Sequence, residues 1–581
     1  MTARLNNVDP ITLQVVDNAF GSICDDMFVT LQRVGRSPTA TQVFDMSTGI
    51  CDANGDIVGC GTQYGHVAST PEAVKNTIAK YAGRIYDGDI FVTNDPYSAC
   101  LHMPDIVIFR PVFIDGIFTF FGVTVVHHAD VGGRSPGSMS HDSTDIYQEG
   151  LRMPPLKLVE RGVPNETLWE IVEKNVRGSA TLADMRAQCT ATLTADKRLK
   201  ELGQRYGRDN LVNYCEALKD YSEYLVRDAI KSWPKGVYEF TDYIDDDGID
   251  PQPVKIHIKM TVKNDSIIAD YTGTSRQTRG SINITLAEAK GLTFAAARSV
   301  MGVDVPNNSG VFRPFTVTAP PGCLLNMQHP ASCAARGVTN FRVRNVVTGV
   351  LAQIVPSRVP AANEGGTSTG RFGFVREDGT MKVMYDNIYG SPGGYPHRDA
   401  PDGLGMHLAN FSIEILERGY PARVRRYGFA AGTEGAGKHR GALGIVREWE
   451  FLQESHLTFR ADRQKFAPYG LAGGDSGGYS RTYFTRNGKQ EQLPSKINIR
   501  LSRGDMLSHI SAGGGGYGNA LERDAGKVLE DYLDEKMTIQ RAREAYGVVI
   551  NEKDSSIDAE ATEQLRSEKS ADRILPLDKS V

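Results

Sequence analysis

Hydrophobic positions recur every three to four residues over 9–34, where Ile11, Leu13, Val15, Val16, Ala19, Phe20, Ile23 and Met27 share one side of a helix. From Phe44 to His66 the pattern shortens to β-like pieces broken by turn residues. A helix is expected over 71–81, with Ser69 and Thr70 as cap and Pro71 in the first turn. Strands follow at about 89–93, 106–113 and 117–126, and 166–230 reads as helix, rich in Leu, Ala, Glu, Lys and Arg. Trp233-Pro-Lys-Gly236 interrupts that run. Beyond it, 237–518 is mostly strand-like, with helical stretches near 285–302 and 338–355 and dense Gly and Pro after 360. From Leu521 the chain turns charged and helical, with fraying expected after 551. The expected fold class is α+β: a mixed-sheet part over 1–235, a large β-rich part over 236–520 and a short helical tail over 521–581.

Composition narrows the function classes. With 581 residues the chain exceeds what one core commonly serves, so two or three domains are expected. Sixty-five Lys+Arg against 70 Asp+Glu give a net charge of −5, which favours neither a nucleic-acid nor a membrane-surface partner. No apolar run reaches spanning length. The N-terminus lacks a basic stretch followed by an apolar one, so a cytoplasmic location is the default expectation. Eight cysteines, none in a C-x-x-C, read as buried free thiols.

Four of the twelve histidines fall within 102–141. The segment runs Asn94-Asp-Pro-Tyr97, His102-Met-Pro-Asp105, strand, Asp115-Gly116, strand, then His127-His128-Ala-Asp130. Asp-Gly between alternating strands signals a type I′ hairpin. Centring the turn there sets Pro104 opposite His127 and Asp105 opposite Val126, which gathers His102, Asp105 and His127 at the open end. Two imidazoles and a carboxylate converging with room for water suit Mn²⁺, Fe²⁺ or Zn²⁺. The plainer alternative is local pairing of His127 and His128 with Asp105 and Asp130. Neighbouring strand residues face opposite ways, so His127 and His128 are not expected to ligate together. Asp45 and His66 are weaker candidates by spacing alone.

Two glycine-rich segments resemble phosphate loops superficially. Gly432-Thr-Glu-Gly-Ala-Gly437-Lys438-His439 puts histidine where a P-loop needs a hydroxyl, and a strand follows where a helix should open. Gly513–Gly516 offers backbone amides to an anion, or forms a tight loop needing positive φ. H-E-x-x-H does not occur.

"NDPYSACLHMPDIVIFRPVF", "HHADVGGRSPGSMS" and "DIYQEGLRMPPLKL" resemble the hydantoinase B family, the partner subunits of ATP-dependent N-methylhydantoinases, caprolactamase and 5-oxoprolinases, related to subunits of acetone and acetophenone carboxylases. The likeness extends through "VDPITLQVV", "GRSPTATQVFDMSTGICDANGDIV", "PNNSGVFRPFTV", "GAGKHRGALGIVREWEF", "APYGLAGG", "LPSKINIRLSRGD" and "AGGGGYGNALERD". It implies a hydantoinase A-like partner that binds ATP with Mg and phosphorylates the small-molecule substrate's oxygen, in a heterotetramer or larger assembly. It also implies metal ligation by His102, Asp105 and His127, with Asp45 as a less certain fourth ligand. Where the family reads N-D-P-Y-x-G-G-T-H, this chain has Ser-Ala-Cys-Leu between Tyr97 and His102, a bulkier and more apolar loop.

The expected activity is ATP-dependent hydrolysis of a cyclic amide, with His128 or Asp130 handling protons. An ATP-dependent ketone carboxylase subunit is the alternative, and a scaffold subunit without metal is a third reading.

Overall fold

The computed structural model describes residues 8–61, 70–98, 100–365, 368–405 and 410–574. Ser69 and His66 therefore lie outside the described residues. The first helix, Pro10–Val34, starts where Asp9 accepts a hydrogen bond from Thr12 N and proline occupies the first turn. Its stripe of Leu13, Val16, Phe20, Ile23, Met27 and Leu31 packs, together with helix Ala180–Tyr206, on one face of a seven-stranded sheet.

That sheet contains β1 (Met46–Asp52), β2 (Ile57–Cys60), β3 (Ile90–Thr93), β4 (Asp105–Ile114), β5 (Ile117–His127), β6 (Leu156–Glu160) and β7 (Val163–Pro164). Its order is β2-β1-β5-β4-β3-β6-β7, and every pair is antiparallel. Helix Thr70–Lys80 covers the opposite face, setting Ala73 and Val74 among Phe91, Phe109 and Phe121.

The β4–β5 turn is built as expected, with Asp115 at φ 52° and Gly116 at φ 75°. The register is not. A β-bulge at the turn end adds one residue to β5: Phe113 pairs with Phe118, but Val112 pairs with Phe120. Asp105 therefore lies directly opposite His127, instead of Pro104. The bulge puts Asp105 and His127 on the same face, whereas the unbulged register would have pointed them to opposite faces.

A second sheet, β8 (Gly236–Ile244), β9 (Val254–Val262), β10 (Ile267–Asp270) and β11 (Phe315–Thr318), is the mixed one, since β10 and β11 run parallel. Helices Leu286–Arg298 and Gly337–Leu351 bury its apolar face. The remaining strands are β12 (Ser368–Val375), β13 (Met381–Ile388), β14 (Ala422–Ala430), β15 (Gly444–Phe451), β16 (Ser455–Arg460), β17 (Arg481–Arg486), β18 (Lys489–Leu493), β19 (Lys496–Leu501) and β20 (Met506–Ile510). They form two sheets, β13-β12-β16-β19 and β14-β15-β20-β17-β18, with an aromatic-rich core of Phe372, Trp449, Phe451, Leu457 and Phe459.

Gly513–Gly516 does not bind through free amides. Gly513 N donates to Gly478 O, Gly514 N to Ala442 O, Gly515 N to Ala362 O and Gly516 N to Asp475 O. None of the four has positive φ; glycine is required because a Cβ on Gly514 would stand 1.9 Å from Pro392 O. The segment is the hydrogen-bonded hub of the surrounding loops, and 432–439 is one of its spokes, with Gly435 N donating to Gly514 O. The C-terminal segment docks there too, through Val528, Ala542 and Tyr546 around Ala436. The expected fraying after 551 gives way to a helix, Ala559–Ile574, tied back by Arg566 to the carbonyls of Tyr546 and Arg523.

All eight cysteines are free, and no helix among the described residues is long and apolar enough to cross a membrane.

Candidate metal centre

The turn preceding β4 brings His102 back over the strand, through Asp105 N donating to His102 O (2.9 Å). Together with the bulged register this gathers three buried side chains. His102 Nε2 lies 3.1 Å from Asp105 Oδ1 and 3.1 Å from His127 Nδ1, and His127 Nδ1 lies 2.8 Å from Asp105 Oδ1. This is the only His/Cys/Asp/Glu group of metal-binding proportions among the described residues.

Its protonation is fixed by its surroundings. His102 Nδ1–H donates to Ala334 O (3.1 Å), leaving Nε2 a bare lone pair. Arg371 Nη2 donates to His127 Nε2 (3.0 Å), so the His127 proton sits on Nδ1. Two acceptors, His102 Nε2 and Asp105 Oδ1, thus share the one proton on His127 Nδ1. Burial works to raise Asp105, but the Arg336 guanidinium and the hydrogen bond from His127 overcome it and hold the carboxyl ionised well below its ordinary range. Burial, reinforced by Arg336, pushes His102 down to about 3 despite the adjacent Asp105, so its ring is neutral.

The spacing fits a divalent cation. Bonds of about 2.1 Å at right angles place neighbouring ligand atoms about 3.0 Å apart, whereas tetrahedral angles require about 3.4 Å. The 2.8–3.1 Å triangle is of this order, so a divalent cation such as Mn²⁺, Fe²⁺ or Zn²⁺ with N/O ligands fits among the three atoms.

Several residues that the pattern of the sequence did not single out complete the site. Arg336, just ahead of helix Gly337–Leu351, donates to Asp105 Oδ2 (2.6 Å) and Glu288 Oε1 (2.5 Å), fixing the carboxylate's orientation. Glu149 Oε1 accepts from Cys333 N and Ala334 N (both 2.7 Å) and so holds the loop whose carbonyl orients His102. Burial pushes Glu149 up to about 8, with those backbone donors opposing. Tyr385 of β13 stacks on His127, with ring centroids 5.7 Å apart. Glu149 stands in "DIYQEGL", a segment already distinctive in the sequence; the others had no such signal.

Asp45 lies beside the triad without joining its converging atoms. His127 N donates to Asp45 O (2.9 Å), and Tyr385 Oη donates to Asp45 Oδ2 (3.4 Å). His128 turns away, as strand alternation requires, and its Nε2 donates to Gln188 Oε1 (3.0 Å) on helix Ala180–Tyr206. Asp130 accepts from Gly132 N, Gly137 N and both the backbone and guanidinium of Arg177, organising the loop after β5. The structure brings neither to the triad. In the substituted loop, Cys100 and Leu101 are buried, as their apolar character implies.

Residues 9–520 match the sequence pattern of the hydantoinase B/oxoprolinase family. The chain belongs to this family. A Pseudomonas protein named as the B-type component of a D-/L-hydantoinase is 33% identical over 97% of this chain and 98% of its own. The crystal structure of ATP-dependent caprolactamase from Pseudomonas jessenii superposes with TM-score 0.90 at 26% identity, covering 96% of this chain and 100% of that one. Nucleotide-free acetone carboxylase shares the fold, with TM-score 0.91 at 17% identity over 100% of this chain and 85% of its own.

Proposed function

We propose that this chain is the metal-bearing subunit of an ATP-dependent cyclic amide hydrolase acting on a hydantoin, lactam or oxoproline-type ring. The observation that carries the reading is the buried His102–Asp105–His127 triangle, in a family whose similar members are named as a hydantoinase component and a caprolactamase. A hydantoinase A-like partner would bind ATP with Mg and phosphorylate the amide oxygen, relieving the resonance that makes an amide a poor electrophile. Here His102 Nε2, Asp105 Oδ1 and His127 Nδ1 would hold the cation, with Asp45 next to it. When bound, a divalent metal supplies hydroxide at neutral pH by acidifying water.

The chain's own residues prepare that step. Arg336 fixes Asp105, and the Ala334 carbonyl fixes the His102 tautomer. Tyr385 covers the His127 ring and keeps bulk water from that side, where an activated phosphate ester would otherwise be lost to side reaction. Overall two waters are consumed, one opening the ring C–N bond and one freeing phosphate. His128 and Asp130 would serve by positioning β5 and its following loop.

The test is elemental analysis of the chain co-purified with its partner, followed by His127→Ala. Near-stoichiometric Mn, Fe or Zn that disappears in the variant, together with ATP-dependent ring opening but not assembly, is the expected result. A metal-free, fully active complex would overturn the reading. Formation of a carboxylated ketone in place of a ring-opened product would replace hydrolysis by carboxylation.

A further inference from the structure

Eight arginines are buried among the described residues. Arg336, Arg342, Arg440, Arg447, Arg463 and Arg523 each face a carboxylate within ion-pair distance. Arg371 and Arg460 do not, although they are only 2% and 6% exposed. Both stand on the sheet that closes over the metal triad. Period-2 alternation and register put them on one face: Arg371 of β12 pairs with Thr458 of β16, and Arg460 follows Thr458 by two positions. Directly opposed residues lie about 5 Å apart and alternate residues on a strand about 7 Å, so the three side chains project side by side.

Each carries a buried polar atom with no partner: Arg371 Nη1, Arg460 Nε and Thr458 Oγ1. Their remaining contacts tie them to the triad. Arg371 Nη2 reaches His127 Nε2 (3.0 Å) and Met139 Sδ (2.7 Å), and its guanidinium lies 3.1 Å above the Tyr385 ring, while Arg460 Nη1 donates to Ala334 O (3.1 Å), the carbonyl that orients His102. Asp45 acts on both arginines only at longer range. Burial lowers each guanidinium to about 10, still fully charged at neutral pH. Two desolvated cations with no carboxylate against them, beside a hydroxyl with no partner, are a costly arrangement unless a ligand brings the negative charge.

We propose that Arg371, Arg460 and Thr458 form a binding site for a phosphoryl dianion beside the metal triad. Planar guanidinium forks matched to oxygen pairs, with a hydroxyl for a third oxygen, suit a tetrahedral group better than a flat carboxylate. With a cation held through His127 Nδ1, Nε2 carries the ring proton. Arg371 has only donors, so it then gives up that contact and its Nη2 is available to the anion. The phosphoryl group of the activated substrate, and the phosphate it becomes, would be held here with the reacting carbon next to the triad. This assignment rests on the proposed function for the source of the phosphoryl group, and on the three side chains alone for its place.

Inorganic phosphate titrated calorimetrically into the full chain without its partner tests the site, with metal content measured on each sample. One phosphate per chain is expected. Arg460→Met should weaken it about tenfold or more and the near-isosteric Thr458→Val about threefold, both at unchanged metal content. Phosphate binding equal in wild type and both variants would overturn the site and leave the proposed function standing. Acetate binding as tightly as phosphate would also overturn it, as a carboxylate subsite. A metal-free chain that still binds phosphate through these residues would uphold the site and remove the metal from the proposed function.

Discussion

The polar face formed by β12, β13, β16 and β19 has two ends that treat charge differently. At one end Lys496, directly opposite Arg460, pairs with Asp246 (3.3 Å) and Asp462 (3.7 Å). Asp462 also takes Arg342 (2.5 Å), and Asp242 takes Arg342 (3.4 Å) and Arg463 (3.2 Å). Every cation there meets a carboxylate, and the network links the end of β8 to β16 and β19. One residue across the sheet, Arg460 and Arg371 meet none. Closed buried networks hold parts of a chain together, whereas charge left over in a desolvated pocket marks where a ligand completes the balance.

The largest expected effect breaks the closed end. Asp462→Ala takes from Arg342 its shorter carboxylate contact and from Lys496 one of its two, and should destabilise the protein by about 3–5 kcal/mol, read by denaturant unfolding. Acid should act on the same end. Burial, only partly opposed by Asp142 and Asp246, pushes His141 down from 6.5 to about 4 next to Lys496. The unfolded chain takes up its proton near 6.5 and the folded chain only near 4. The stability this group contributes is therefore complete above 6.5 and lost as pH falls towards 4. Buried His509, lowered to about 3, adds to the loss in the same direction. Melting temperature should fall over this interval, and His141→Gln should flatten the slope.

Smaller effects sharpen the contrast between the faces of β5. His128→Asn removes the bond to Gln188 and should lower stability by about 1–2 kcal/mol, with metal content and phosphate affinity unchanged. Loss of metal in that variant would return His128 to the site. The smallest expected stability change is at the open end. Arg371→Met deletes an unpaired buried charge and should leave unfolding within about 1 kcal/mol of wild type, or raise it, while phosphate affinity falls. Destabilisation comparable to Asp462→Ala would mean that the two ends do not differ.

Local chemistry made much of this legible. The amphipathic period predicted helix Pro10–Val34, Asp115-Gly116 predicted the type I′ turn, and the histidine concentration pointed at the open end of one hairpin. Register was harder, because a bulge arises from how a twisted pair packs, not from a turn signal. The error of one residue would have split Asp105 from His127. The glycine run misled in another way: its residues are glycine because carbonyls of distant loops approach within about 2 Å of a Cβ position, a contact that no local pattern encodes.

Arg371 shows where local pattern stops. Thr369 and Arg371 alternate with Gly370, Phe372 and Phe374, a pattern equally suited to a strand with one face in water. The polarity of this face, and the placing of His102, Asp105 and His127 at the open end of one hairpin, are written in the order of the residues. Folding in three dimensions set their register, laid the polar face over that end, removed water from both, and, among the described residues, matched six buried arginines to carboxylates while leaving two without. Alternation is a property of neighbouring residues and is set locally. Burial and charge balance depend on partners that local pattern does not name, as far away as Asp105 is from Arg336, and the contact of Arg371 with His127 spans 244 residues.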